Sequence, residues 1–330
     1  FFVIPIKSIC VIRLSAIGDV CHSVAVVQAI QKFYPEAKVT WVIGKVEASL
    51  LLGLPNVRFI VIDKSEGLNT YIKLRAQLPE TFDVLLHMQV AFRANLIAAC
   101  IRAKRKIGFA KHLSKELHGF FVNERTSLPA NPHVLEGLAS FATAIGVPAF
   151  TPAWNIPLSQ NEDLWLSRLL TEHNINEHDS ILVVSAASSN DERNWLPDRY
   201  AAIIDYAFTH NFKVLLCGGP LVSEKMLALN IIDHCKNKPI NIVGQTTLKQ
   251  LLAILKRATA VLSPDSGPAH MATTQGTPVI GLYAHSNPAR TGPYYSQQFI
   301  AEAYHMLLLA KTGKRAEQLK WGMRLKGPEL

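Results

Sequence analysis

The sequence predicts an α/β protein built from two similar halves, each a parallel sheet with crossover helices, and three observations predict it. The 330 residues are about twice the usual length of one domain. Short β-rich apolar runs alternate with helical patterns along both halves, which is how parallel strands joined by helices read. Between the halves, residues 126–157 carry Pro129, Pro132, Pro148, Pro152 and Pro157, a density of proline that interrupts both patterns. The domains expected are therefore residues 1–150 and 158–310, with 148–157 as linker. Residues 311–330 are expected as a C-terminal tail.

In the first half, residues 9–14 (ICVIRL) read as a buried strand, 20–33 as a helix, and 38–43 (KVTWVI) and 57–62 (VRFIVI) as strands. Residues 82–88 (FDVLLHM) form a further strand, followed by a helix to about residue 102, and 133–145 is one more helix. In the second half the expected order is helix 162–173, strand 180–185, helix 197–210, strand 212–217 and helix 223–234. It continues with helix 248–257, strand 260–263, a helix from Pro268 and strand 278–283. Ligands of such sheets bind beyond the carboxyl ends of the strands. The loops after Leu14, Ser185, Cys217 and Ser263 are where chemistry is to be sought.

Composition narrows the class. With 49% hydrophobic and 18% charged residues the chain has apolar material for two cores, so disorder is excluded. Lys and Arg number 34 against 25 Asp and Glu, and the net charge of +9 favours an anionic partner. The five cysteines are odd in number and scattered, which fits a reduced, cytoplasmic setting. No CxxC pair, HExxH or glycine-rich nucleotide fingerprint is present, so zinc chemistry, P-loop hydrolysis and standard dinucleotide binding lose their signatures. The apolar runs, including the opening residues 1–6, are too short to span a bilayer. The basic run Arg102, Lys104, Arg105, Lys106, Lys111 and Lys115 reads either as a solvated helix end and loop or as a site for an anionic acceptor. It lacks the interleaved aromatics that stack bases, so nucleic acid is not expected as a partner. Residues 311–326 alternate basic and apolar side chains, a pattern suited to docking on the protein or resting on anionic lipid.

Three stretches combine a strand end, a loop and a helix start. In residues 13–19 (RLSAIGD), Gly18 lets the backbone approach a ligand and Asp19 falls at a helix N-terminus, where a carboxylate is favoured. Asp19 is either a plain capping residue or a general base. In residues 185–195 (SAASSNDERNW), small hydroxyl residues precede Arg193, which reads as a phosphate cradle or as a surface cation beside Asp191 and Glu192. In residues 263–270 (SPDSGPAH), Ser266 and Gly267 leave amides free for an anion and Pro268 suits the first helical turn. Asp265 could orient sugar hydroxyls. His270 is either a packed helix residue or a ligand contact.

The stretch 13–19 with Val20, Cys21 and His22 resembles the amino-terminal signature of the family 9 glycosyltransferases, the ADP-heptose:lipopolysaccharide heptosyltransferases. Residues 265–293 (DSGPAHMATTQGTPVIGLYAHSNPARTGP) resemble their carboxy-terminal signature, and 191–195 (DERNW) their donor-phosphate motif. The three lie in the family's order over nearly the whole chain. The resemblance implies a GT-B fold, two Rossmann-like domains facing an interdomain cleft with a C-terminal helical tail (residues 311–330) that packs back on the first domain, and an inverting, metal-independent transferase that needs no cofactor. Its donor would be ADP-heptose and its acceptor the Kdo-containing inner core of lipid A, at the cytoplasmic, inner face of the inner membrane, where the enzyme is peripheral.

By this resemblance Asp19 is the catalytic base and Arg193 the phosphate group's cation, where many members have Lys. Ser188, Ser189, Asp265, Ser266, Gly267, Pro268 and His270 line the donor site. Arg13, Gln89 and Arg93 contact the acceptor, and Glu224 with residues 245–247 faces the adenosine. His22 and the 24–28 pattern look most like enzymes adding the first heptose to Kdo or phospho-Kdo. A transferase for the second heptose or another nucleotide sugar is the alternative within the class. A non-catalytic sugar-nucleotide or lipopolysaccharide-binding protein is the alternative outside it.

Overall fold

The computed structural model describes residues 6–63, 65, 67, 69–320 and 322–327, and most of the opening apolar segment lies outside them. The chain divides into two units, residues 1–157 and 158–330. The first contains β1 (Ser8–Ile12), α1 (Ile17–Phe33), β2 (Lys38–Gly44), α2 (Lys45–Leu50), β3 (Val57–Ile62), α3 (Asn69–Gln77) and β4 (Thr81–His87). It continues through α4 (Phe92–Cys100), β5 (Arg102–Gly108), β6 (Glu124–Arg125) and α5 (Val134–Ala144). All strands are parallel, in the order β3-β2-β1-β4-β5-β6.

The second unit contains α6 (Gln160–Glu172), β7 (Ile181–Ser185), α7 (Pro197–Thr209), β8 (Lys213–Cys217), α8 (Val222–His234), β9 (Ile240–Asn241) and α9 (Leu248–Arg257). Then follow β10 (Ala260–Pro264), α10 (Gly267–Thr274), β11 (Val279–Tyr283), α11 (Pro288–Thr291), β12 (Ile300–Glu302) and α12 (Tyr304–Thr312). Its sheet runs β12-β11-β10-β7-β8-β9, the same topology again. In each sheet the connections reverse direction between two central strands, β1 and β4 in the first and β7 and β10 in the second. The loops leaving those strands diverge there and open a crevice, the place where such sheets take ligands.

Local sequence explains most elements. β1 and β7 are apolar, β-branched and buried, as central strands covered on both faces must be. α9 starts at a reciprocal capping box between Thr247 and Gln250, and α6 at one between Ser159 and Glu162. The segment expected as a linker is docked on α1 of its own unit: the Trp154 indole donates to the Cys21 carbonyl at 2.7 Å, and Asn155 exchanges hydrogen bonds with Gln28.

Two expectations change. Residues 102–108 (RAKRKIG), read as a helix end and loop, are the strand β5. Its charges do not oppose pairing because each inner one finds a partner: Lys104 with Asp83, Arg105 bidentate with Glu124, and Lys106 Nζ donating to the Ala98 carbonyl. Among the described residues, the tail is helical through α12 and a single 3₁₀ turn, Ala316–Gln318. Within the second unit, Leu325 packs with Tyr304 and Leu308, and the Met323 carbonyl accepts from the Tyr304 hydroxyl. Among the described residues no helix is long and apolar enough to cross a membrane.

Candidate active site

In the first unit, the loop after β1 carries Arg13 to Ala16, and the Ser15–Ala16 peptide is cis. Asp19 follows in the first turn of α1, a turn that no side chain caps. Arg13, expected to contact the acceptor, is buried and commits its guanidinium inside the protein. One NH₂ group donates to the Met88 carbonyl at 2.6 Å, the other pairs with Asp19 Oδ2, and Nε has no hydrogen-bond partner among the described residues. Burial lowers the Arg13 pKa, and the charges of Asp19 and Glu47 oppose that shift. The Asp19 side chain keeps 34% of its surface exposed against 10% for Arg13, and Oδ1 makes no hydrogen bond among the described residues. One carboxylate oxygen is thus fixed and the other open.

Gln89, also expected to meet the acceptor, closes the same loop from the carboxyl end of β4. Its Oε1 accepts from the Leu14 amide at 2.6 Å and from the Ser15 amide at 3.3 Å. Arg93, in the first turn of α4, is half-buried and has no hydrogen bond or ion pair among the described residues, so its guanidinium remains available. Gly44 permits the packing here, since a Cβ on it would stand 2.5 Å from the Leu14 carbonyl oxygen.

Behind this edge lies a buried group that sequence reading missed. The Phe109 amide donates to His118 Nε2 at 3.2 Å, so His118 carries its proton on Nδ1 and donates to Asn95 Oδ1 at 3.1 Å. His87 Nε2 donates to the same oxygen at 2.8 Å, while Asn95 Nδ2 donates to the Glu116 carbonyl at 2.7 Å. Burial, the leading cause for both rings, lowers the pKa of His87 to about 3, helped by the neighbouring His118, and that of His118 to about 4, helped by Arg125. Both rings are neutral, and they tie β4, α4 and residues 109–118 together. The only local signal was two histidines at strand and loop positions, with nothing to pair them.

In the second unit, the loop after β7 and that after β10 meet through Arg193. Its NH1 donates to the Asp265 carbonyl at 3.1 Å and lies 3.6 Å from Asp265 Oδ2, and its buried Nε has no hydrogen-bond partner among the described residues. Asp265 is held in turn by the Ser286 hydroxyl at 2.6 Å and the Thr291 hydroxyl at 3.4 Å. Ser188 shapes its own loop: its amide donates to Asn194 Oδ1 and its hydroxyl to the Asn190 carbonyl. Ser189 is exposed and makes none of these bonds. Ser266 pairs its hydroxyl with Ser263 at 2.7 Å, leaving the first turn of α10, with Gly267 and Pro268, without a side-chain cap. His270 is buried in α10.

Two cavities flank the 188–193 loop. One, of about 270 Å³, is lined by Arg193, Asp265, Trp195, Tyr283 and His285 among others. The second, of about 540 Å³, is lined by Ser188, Ser189, Ser223 and Glu224, and Glu224 also accepts from the Gly219 amide. The lining residue that sequence reading passed over is His285, whose ring is 2% exposed with neither nitrogen hydrogen-bonded among the described residues and Nδ1 3.7 Å from Glu192 Oε2. Burial first, then Arg193 and Arg324, depress its pKa, against the opposing charges of Glu192 and Asp265. Its position inside the stretch 265–293 was the available signal. Among the described residues no group of three or more His, Cys, Asp or Glu side chains is placed to hold a metal.

Residues 71–321 match the model of glycosyltransferase family 9 (heptosyltransferase). The chain belongs to that family. As a family 9 chain it is similar to lipopolysaccharide core heptosyltransferase OpsX of Haemophilus influenzae, with 44% identity over 98% of this chain and 92% of the relative. Lipopolysaccharide heptosyltransferase 3 of Escherichia coli is 23% identical over 88% of this chain and 87% of its own. Among solved structures, a family 9 glycosyltransferase from Veillonella parvula superposes with a TM-score of 0.80 at 24% identity, covering 94% of this chain and 90% of that one. The E. coli heptosyltransferase WaaC, solved with ADP, gives 0.73 at 18% identity, covering 90% and 93%. The family 9 chain is therefore a glycosyltransferase of the heptosyltransferase type with the GT-B architecture. The family match includes Arg193 and Asp265; the 13–19 loop precedes it.

Proposed function

We propose that this enzyme transfers heptose from ADP-L-glycero-D-manno-heptose to Kdo, or phosphorylated Kdo, of the lipopolysaccharide inner core, with inversion and without a metal or cofactor. The observation that carries the reading is the Asp19 carboxylate, fixed through one oxygen by buried Arg13 and free at the other. A group so held can take a proton without having to reorganise. In the proposed step the acceptor hydroxyl gives its proton to Asp19 as its oxygen attacks the anomeric carbon from the side opposite the diphosphate. The bond from that carbon to the diphosphate oxygen breaks, and ADP leaves. Arg193 and the open amides around Ser266 and Gly267 stabilise the charge growing on the departing diphosphate. Ser188, Ser189, Asp265, Pro268 and His270 complete the donor site, and Arg93 is the acceptor contact with a side chain free to make it.

Kdo as acceptor is supported by the similarity to the core enzyme OpsX and by His22 and the 24–28 pattern. The net charge of +9 suits an anionic, lipid-linked substrate reached from the cytoplasmic face of the inner membrane, with no role for nucleic acid. Purified protein incubated with ADP-heptose, Kdo-lipid A and EDTA should release ADP and yield a heptosylated product of inverted anomeric configuration. Transfer only to an acceptor already bearing one heptose would replace the first-heptose reading with the second. Absence of ADP release with every acceptor would leave a binding protein.

A further inference from the structure

The last described stretch of the chain carries Arg324, Leu325 and Lys326, and an extended backbone places the two cations on the side opposite the leucine. Leu325 is 3% exposed, packed against Tyr304 and Leu308. The segment is fastened along its length. The Leu325 amide donates to the His285 carbonyl at 2.9 Å, Arg324 pairs antiparallel with Ser286, the Tyr304 hydroxyl donates to the Met323 carbonyl at 3.1 Å, and Lys311 Nζ donates to the Lys326 carbonyl.

This fastening brings the two charges to the loop that separates the two cavities. Lys326 lines the larger one and is the only cation that does so among the described residues, whereas Asp191, Glu192 and Glu224 all line it. Arg324 pairs antiparallel with Ser286, which lines the smaller one next to His285. Arg193 does not balance the three carboxylates, because Asp265 already engages it. Asp191, Glu192 and Glu224 put three negative charges on the rim, and Lys326 with Arg324 offset two of them, so a diphosphate meets a far weaker repulsion than it would without the tail.

We propose that Arg324 and Lys326 form a cationic strap that offsets most of the negative charge on the rim of these cavities and so favours binding of the diphosphate of a nucleoside diphosphate. The ligand class rests on the donor site assigned above; the role of the tail rests on its fastening and on the charge balance. Removing two exposed charges a few ångströms from a polyanion weakens binding by about tenfold at low ionic strength, and salt screens the difference.

The test is calorimetric titration of the full chain with ADP at low and high salt, comparing wild type with R324Q/K326Q. A second double variant, K314Q/K320Q, removes the same net charge from tail positions that line neither cavity, and L325S keeps both cations while loosening the strap. The expected result is about tenfold weaker ADP binding for R324Q/K326Q at low salt, a smaller gap at high salt, weaker binding for L325S, and none of this for K314Q/K320Q. Unchanged affinity in R324Q/K326Q, or an equal loss in K314Q/K320Q, overturns the proposal. Failure of the wild type to bind ADP overturns the donor assignment itself, and the strap with it.

Discussion

Acidification should loosen the carboxyl edge of the first sheet well before most carboxylates titrate, because His87 and His118 are buried there as neutral rings. Their pKa values fall from the ordinary 6.5 to about 3 and about 4. Below pH 6.5 the unfolded chain protonates both rings while the folded one does not. The unfolded state then binds more protons, and stability drops as pH falls from about 6.5 toward the folded values. At pH 5 each ring lies about 1.5 pH units below its unfolded pKa, which at about 1.4 kcal/mol per unit is about 2 kcal/mol each and about 4 kcal/mol for the pair. That is a ceiling, since any protonation of either ring in the folded protein gives back part of its share. The discriminating variant is His87→Gln, whose amide nitrogen can still donate to Asn95 Oδ1 but cannot titrate. Urea unfolding at pH 7, 6 and 5, followed by hydrogen exchange in peptides spanning β4 and α4, measures both proteins. Wild type should lose several kcal/mol between pH 7 and 5 and the variant about 2 kcal/mol less. Identical pH slopes would refute the protonation argument.

Asp19→Asn should lower turnover by about 10²–10⁴ with ADP affinity preserved, checked by single-turnover transfer beside calorimetry; near-wild-type turnover would remove Asp19 as the base. Gly44→Val should destabilise the first unit by about 1–3 kcal/mol and slow transfer, because its Cβ would press on the Leu14 carbonyl in the loop ahead of Asp19; thermal unfolding and kcat read the two effects. Ser286→Ala removes the 2.6 Å bond to buried Asp265 and should cost about 1–3 kcal/mol, measured by denaturant unfolding, with weaker ADP binding as its companion. Gln89→Leu leaves the Leu14 and Ser15 amides without their acceptor and should raise their hydrogen exchange while reducing kcat.

Where a segment's own periodicity decides its state, sequence and structure agree closely. Val57–Ile62 and Leu248–Arg257 have the bounds that the pattern predicts, and α1 begins at Ile17, three residues ahead of the expected start. The strand β5 was illegible for the opposite reason. Its run of Arg and Lys is unfavourable in isolation and becomes acceptable only beside Asp83, Glu124 and the Ala98 carbonyl, which other elements bring. The short edge strands β6, β9 and β12, of two or three residues, hold too little pattern to announce themselves.

By itself the sequence determined the two-part α/β plan, the strand ends from which chemistry is presented, and the residue types placed there, because these follow from spacings of two and 3.6 residues and from the loops between. Only the tertiary structure decided which side chains are tools and which are fixtures. Arg13 and Gln89 face partners 75 residues away, Arg193 reaches Asp265 across 72, and the tail returns to His285. Such pairings depend on strand order and register, which no local window of sequence contains.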